Sequence, residues 1–134
     1  MKNNKSVESV LRLNRLLFDK IEFNRLGFRN DSKLELEIQS NISQRKNAEI
    51  YKVTLILKGK KPDEYTFEIS LSGFFSLETD CQLTEELKNS LITKNSVAIL
   101  MPYLRSEVSL LTAQPDMECV VLPALNIKNM LDGE

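Results

Sequence analysis

The chain has 134 residues, of which 42% are hydrophobic and 28% are charged, and its formal net charge is -1. This length and composition are typical of one globular domain, and we expect residues 1–134 to form it, burying roughly two-thirds of the surface that the unfolded chain exposes. The near balance of charges argues against a general electrostatic affinity for nucleic acid or for a membrane surface.

The sequence carries no pattern of export or membrane insertion. Glu8, Arg12 and Arg15 interrupt the apolar stretch that a signal peptide would need, and no run of about 18 apolar residues is available to span a bilayer. Cys81 and Cys119 have neither CxxC spacing nor the density of a disulfide framework. We therefore expect a protein of the reducing cytoplasm.

The first element along the chain is ambiguous by pattern. In "VESVLRLNRLLFDKIEFNRLGF", residues 7–28, the apolar residues alternate around Ile21 and Phe23, but the earlier ones would also suit a helix. We favour a strand with an irregularity.

Three further strands follow, each with strict alternation of apolar and polar residues. Their apolar faces carry Leu34, Leu36, Ile38 and Ile42 in the first, Tyr51, Val53, Leu55 and Leu57 in the second, and Tyr65, Phe67, Ile69 and Leu71 in the third. The connecting segments "SQRKNA" and "GKKPDE" are short and polar, as in antiparallel hairpins, and Gly59, Pro62 and Asp63 supply turn residues.

The pattern changes to a helical one after Phe75. Thr84 is a helix start signal, acidic residues follow it, and leucines recur at every fourth position from Leu83, which predicts a short helix. A longer helix is expected from about Ser96 to Ala113. Strands followed by helices, without a βαβ rhythm, indicate an α+β fold with an antiparallel sheet.

Signals for catalysis are weak. The chain contains no histidine, which removes histidine-based acid–base pairs, Ser/Cys–His nucleophiles and His-ligated metals together. Asp116 and Glu118 alone are a weak cation signal, and solvation in a loop is the simpler interpretation. Cys119 lies in an apolar segment, which favours a buried structural thiol. We expect no enzyme, no cofactor and no metal site.

The segment "AILMPYLRSEVSLLTAQPDMECVVLPALNIKNML", residues 98–131, resembles the C-terminal half of the SecB-type export chaperones. The matching residues are Ile99, Leu100, Pro102, Tyr103 and Arg105, with Met101 in place of the family's phenylalanine, and then Pro123, Asn126 and Ile127 at the start of the last helix. Upstream, "SGFF" at residues 72–75 and "DKIEF" at residues 19–23 resemble parts of the family's fourth and first strands.

This resemblance implies a fold and an assembly. The fold would be a four-stranded antiparallel sheet followed by a long helix and a short C-terminal helix, assembled as a homotetramer that is a dimer of dimers. The stripe Leu100, Leu104, Val108 and Leu111 would pack on its own sheet, and Val97, Tyr103 and Leu110 would contact neighbouring subunits. The alternative interpretation of the stripe is the core of a monomer.

The resemblance also implies an ATP-independent holdase that binds unfolded polypeptide in an apolar groove. The groove would be formed by Phe74, Phe75, Met117, Val120, Val121, Leu122, Leu125, Ile127 and Met130. Methionine suits such a groove because its flexible thioether adapts to many side-chain shapes. The alternative is that these residues only close the monomer core.

One departure from the export family concerns its partner. Those chaperones engage the SecA motor through carboxylates on the outer sheet face, whereas this chain has Lys20 and Asn24 at the matching first-strand positions and keeps only Glu68 on the fourth strand. Protein export through SecA is therefore doubtful. A SecB-like chaperone for another client, such as a labile antitoxin, and a binding module for one defined ligand both remain open.

Overall fold

The computed structural model describes residues 9–44, 50–79 and 84–122. Its elements are β1 (Ser9–Arg25), β2 (Glu35–Gln44), β3 (Ile50–Lys61), β4 (Tyr65–Thr79) and α1 (Glu85–Thr112). The strands form one antiparallel sheet in the order β1-β4-β3-β2, so β1 and β2 are its edges among the described strands. The predicted α+β class is confirmed, whereas the short C-terminal helix falls outside the described residues.

Strand β1 is irregular, as predicted, and it is irregular at two places. Its register with β4 shifts after Leu13 and again after Phe18, which makes Asn14 and Asp19 extra residues in the ladder. Each extra residue resets the alternation, so that Leu13, Phe18 and Ile21 reach the same sheet face despite their uneven spacing. This uneven spacing is the reason that the sequence also suited a helix.

The core lies between one face of the sheet and helix α1. The central strands supply side chains that are at most 1% exposed, namely Val53, Leu55, Leu57, Ile69, Leu71 and Phe75. Helix α1 covers them with Ile92, Val97, Leu100, Leu104 and Val108, which are equally buried. Burial of each such side chain stabilises the fold by about 1.5–3 kcal/mol, so this interface is the main source of stability.

Helix α1 is one continuous helix rather than the two that the sequence predicts. Its start is the predicted one, because the Thr84 hydroxyl accepts a hydrogen bond from the Leu87 N–H at 3.2 Å. The two predicted segments join because Ile92, Ser96 and Val97 are all buried against the sheet, so the packing stripe runs across the expected break.

Pro102 lies in the second half of α1, well beyond the first turns where proline is tolerated best. A proline in a helix interior removes one backbone hydrogen bond and costs about 3 kcal/mol. The helix continues through it because Leu100, Met101 and Leu104, on either side, are buried in the core.

The hairpin between β3 and β4 turns at residues 62–64, where Asp63 has a φ of 65°. Gly59, predicted as a turn residue, lies instead inside β3 opposite Phe67. A side chain at this position would collide with the Phe67 ring, so glycine is required for packing rather than for the turn.

None of the helices in the described part of the chain is long and apolar enough to cross a membrane.

Candidate functional site

After α1 the chain reverses, and residues 117–122, the tail segment, run back along the helix. Three polar side chains of α1 hold its backbone. Arg105 donates to the Leu122 carbonyl at 3.0 Å, Ser109 donates to the Val120 carbonyl at 2.9 Å, and Thr112 accepts from the Val120 N–H at 2.8 Å. Residues 105, 109 and 112 lie on one helix face, so a single polar stripe fixes the tail segment.

The tail segment divides into buried and exposed residues. Met117 and Leu122 are 8% and 3% exposed and belong to the hydrophobic core, whereas Val121 is 74% exposed and Val120 is half-buried. Of the groove residues predicted here, Val121 is therefore the one most available to a ligand. The predicted Leu125, Ile127 and Met130 lie outside the described residues.

Val121 stands at the rim of an open cavity of about 620 Å³ between the tail segment and α1. The cavity is lined by Pro102, Arg105, Ser106, Ser109, Leu110, Val121 and Leu122. Leu110 is 68% exposed, so apolar side chains flank the cavity from both the helix and the tail. A cavity of this volume accommodates a few side chains of a peptide.

The two phenylalanines that were predicted for the groove lie elsewhere. Phe75 is fully buried beneath α1, and Phe74 points to the opposite, outer face of the sheet because neighbouring strand residues alternate between faces.

The residues that were predicted to contact neighbouring subunits differ in their exposure. Val97 is 1% exposed and lies in the core, whereas Tyr103 and Leu110 are 44% and 68% exposed on α1.

Asp116 links the tail to the loop between β1 and β2. Arg25 donates through Nη2 to both the backbone carbonyl and the carboxylate of Asp116, at 2.8 and 2.9 Å, and the Arg29 N–H donates to the same carboxylate at 3.3 Å. Asp116 was expected to be solvated in a simple loop, but it is held by these hydrogen bonds instead.

Cys119 was expected to be buried, but it is exposed, and its Sγ lies 3.5 Å from the Ser109 carbonyl.

Glu64, at the β3–β4 turn, holds the β1–β2 loop, residues 26–34, through hydrogen bonds. The Leu26 and Gly27 N–H groups donate to the Glu64 carbonyl at 2.8 and 3.2 Å, and the Asn30 N–H donates to its carboxylate at 2.9 Å. The same loop exposes Leu26 at 57% and Phe28 at 86%. Sequence reasoning missed Phe28; its one signal was the apolar "LGF" triplet inside an otherwise polar loop.

Glu64 forms a buried ion pair with Lys61 at 2.9 Å, in which the two side chains are 0% and 8% exposed. Burial alone would raise the pKa of Glu64. The hydrogen bond from Lys61, the Asn30 N–H and the charges of Lys61 and Arg25 outweigh burial, so the pKa lies below its ordinary value of 4.5. Glu64 is therefore charged at neutral pH, and its charged carboxylate helps to hold the β1–β2 loop.

The four-stranded antiparallel sheet and the long helix that covers it match a solved SecB-like structure, which shows that this chain has the same fold. The chain superposes on the SecB-like chaperone Rv1957 of Mycobacterium tuberculosis, solved in complex with a ChAD peptide from the Rv1956 HigA1 antitoxin. The TM-score is 0.73, with 15% identity, and the match covers 87% of this chain and 91% of that one.

Two further proteins are similar. A protein of unknown function from Streptococcus agalactiae matches with a TM-score of 0.51 and 15% identity over 89% of this chain and 99% of that one. Uncharacterized protein MJ0357 of Methanocaldococcus jannaschii is 30% identical over 105 residues, which are 74% of this chain and 66% of that protein, just under two thirds of its length. No family model matches the sequence.

Proposed function

We propose that this protein is an ATP-independent holdase chaperone of the SecB-like class, which binds unfolded polypeptide in the cytoplasm. The observation that carries the proposal is a set of exposed apolar side chains on backbone held by hydrogen bonds. Leu26, Phe28, Leu110 and Val121 are between 57% and 86% exposed. Leu110 and Val121 flank the same cavity, and apolar side chains that are displayed together in this way are typical of interaction surfaces.

The energetics suit reversible capture of a client. A client leucine or phenylalanine buried against one of these side chains gains about 1.5–3 kcal/mol, so each contact is weak. The anchored backbone lowers the entropy lost on binding, because the displayed side chains are already positioned. The chain carries neither a complete P-loop nor GxGxxG, in keeping with binding that is not driven by nucleotide.

Several weak contacts become useful when one unfolded chain reaches more than one subunit. We therefore propose a homotetramer built as a dimer of dimers. The partial exposure of Tyr103 on α1 supports such an assembly, because this side chain is accessible to a second subunit.

A dedicated client is favoured over export. On the outer sheet face Lys20 pairs with Glu68 at 3.5 Å, so the carboxylate retained on β4 is already neutralised by a cation. Docking of a positively charged motor needs several acids together, because exposed ion pairs contribute only about 0.2–1 kcal/mol each. The antitoxin peptide bound by Rv1957 supports an antitoxin-like segment as the client class.

The test uses suppression of aggregation of a chemically unfolded protein, without ATP. We expect wild-type protein to suppress aggregation at near-stoichiometric ratio, and the double variant Phe28→Ser, Val121→Ser to bind the unfolded client at least about tenfold more weakly, because two apolar contacts are lost. Serine at Leu122 would be a poor choice, since that side chain is 3% exposed and supports the core.

Leu87→Ser is the matched control, because Leu87 is 55% exposed in the first turn of α1. It lies about 27 Å along the helix from Arg105, far from the tail segment. Full suppression by the double variant would refute the proposed surface. Equal loss in the control would show that any exposed apolar residue matters, and saturation by a single small ligand would favour the binding-module alternative.

A further inference from the structure

The outer face of the sheet carries a second surface, on the side opposite α1. Five side chains define it, and we call them the basic–aromatic patch: Arg15, Leu17, Ile50, Lys52 and Phe74. Arg15 and Lys52 are exposed, Leu17 and Ile50 are 38% and 36% exposed, and Phe74 is half-buried. Apolar side chains of this size are unusual on a solvated sheet face.

Phe74 is at the centre of the patch. Its ladder partners are Arg15 on β1 and Lys52 on β3, so a cation stands on each side of the ring. The Lys52 Nζ lies 5.8 Å from the ring centroid, within cation–π range. Because the preceding Gly73 faces Leu100 of α1, the Phe74 ring faces away from the helix.

The two cations of the patch, Arg15 and Lys52, differ from the neighbouring cations of the outer face, which form ion pairs. Arg12 pairs with Glu78 at 3.2 Å and Lys20 with Glu68 at 3.5 Å. The nearby Asp19 accepts a hydrogen bond from Ser72 at 2.5 Å. Arg15 and Lys52 form no ion pair with any residue in 9–44, 50–79 or 84–122, so they outweigh the nearby Asp19 carboxylate and the described part of this end is net positive.

We propose that the basic–aromatic patch docks an acidic segment of a partner protein. Its occupant is an extended peptide that crosses the strands and presents an acidic, an apolar and a second acidic side chain at every second position. The apolar side chain lies on Phe74, and the carboxylates pair with Arg15 and Lys52.

The spacing fits this occupant. The backbones of β1 and β3 are about 10 Å apart across β4, and an extended peptide spans about 13 Å over four residues. The long side chains of Arg15 and Lys52 can extend far enough to make up the difference between these two lengths. Specificity comes from the order of charges around the apolar anchor.

A peptide fits this surface better than a nucleic acid does. Phe74 is the one aromatic side chain on the outer face of the described strands, whereas a single strand is bound by several stacking rings and cations along its path. The other end of the face alternates the carboxylates of Glu22, Glu35, Glu37 and Glu68 with lysines, so it offers no continuous positive track for a polyanion.

The experiment measures fluorescence anisotropy of a labelled synthetic peptide with the repeat Glu-Ser-Leu-Ser-Glu. We expect binding by wild-type protein that weakens with added salt. The charge-reversed double variant Arg15→Glu, Lys52→Glu should bind about tenfold or more weakly, because two attractive pairs become repulsive. A peptide with glutamine in place of glutamate should bind equally weakly to both proteins.

The matched control is Lys60→Glu, an exposed lysine on the same strand and face about 26 Å from Lys52, which should bind the peptide as wild type does. Equal binding by the double variant, or no binding by wild type, overturns the proposal. Preferential binding of oligothymidylate overturns it in favour of a nucleic acid. Loss of peptide binding in the Phe28→Ser, Val121→Ser variant overturns it too, because the peptide would then occupy the client surface.

Discussion

Glu64 shows how the backbone and side chain of a single buried residue can together hold a distant loop. Its carbonyl and carboxylate receive the N–H groups of Leu26, Gly27 and Asn30, and its second carboxylate oxygen, Oε2, is buried without a hydrogen-bond partner among the described residues. The buried charge is tolerated because Lys61 pairs with it. The loop that carries the exposed Phe28 is therefore fixed on both sides of this residue by the β3–β4 turn.

We predict that Glu64→Gln destabilises the protein at neutral pH by about 3–5 kcal/mol, because it leaves the Lys61 charge buried without its partner. The folded-state pKa of Glu64 is lowered, so its charge contributes stability above the ordinary value of 4.5, and this contribution is lost as pH falls through the folded pKa. The difference between variant and wild type should shrink on acidification. Urea unfolding at several pH values measures it.

The control for this experiment is Glu37→Gln, which changes an exposed carboxylate on β2 and should alter stability by less than about 0.5 kcal/mol. A difference between Glu64→Gln and wild type that stays constant across the acid range would contradict the assignment of a lowered pKa.

At the residue scale, burial of individual side chains was the hardest property to predict from the sequence. Val121 and Leu122 are adjacent and chemically alike, yet one is 74% and the other 3% exposed, because hydrogen bonds from α1 set the rotation of the tail backbone. Phe74 and Phe75 differ for a simpler reason, the alternation of a strand, and that signal was present in the sequence.

At the scale of elements, the tail segment depends on the polar stripe of α1. Thr112 is its most buried member, donating to the Val108 carbonyl at 2.8 Å while accepting from the Val120 N–H. We predict that Thr112→Val leaves the Val120 N–H without its acceptor, at a local cost of about 1–3 kcal/mol. The measurement is amide hydrogen exchange at Val120, which should become about tenfold faster or more.

Thr93→Val is a fair comparison, because Thr93 also donates to a carbonyl one turn earlier, that of Asn89 at 2.7 Å, and accepts nothing from the tail segment. It should leave exchange at Val120 unchanged. If Thr112→Val also leaves it unchanged, the stripe does not hold the tail.

Elements themselves were predictable to the extent that their signals are local. Period-two alternation identified β2, β3 and β4, because the requirement for one apolar face is met within each strand. The two bulges of β1 and the continuity of α1 were not located, because both depend on packing against residues far along the chain. Ser96 reads as a helix start but is buried against the sheet.

At the scale of the whole molecule, the proposed tetramer makes α1 an interface as well as a cover for the core. We predict that wild-type protein is a tetramer, or a dimer at low concentration, in light scattering. Tyr103→Asp should weaken association about a hundredfold, because it places a charge where two subunits would exclude water. The fold should survive, since Tyr103 is 44% exposed.

Tyr103→Phe keeps the ring and removes only the hydroxyl, so it should associate as wild type does. A wild-type protein that remains a monomer at assay concentrations would refute both the assembly and the contribution of multiple subunits to client affinity.

The bulges at Asn14 and Asp19 have a consequence for the aggregation of the protein itself. β1 is a 17-residue edge strand, and a flat edge of that length would be a template on which partly unfolded chains could grow into amyloid-like sheets. Each bulge interrupts the regular ladder and increases the local twist, so the edge offers only short regular stretches. The strand can thus direct apolar side chains to its own core while resisting conversion into a seed for amyloid-like aggregation, a property that the proposed holdase function would require.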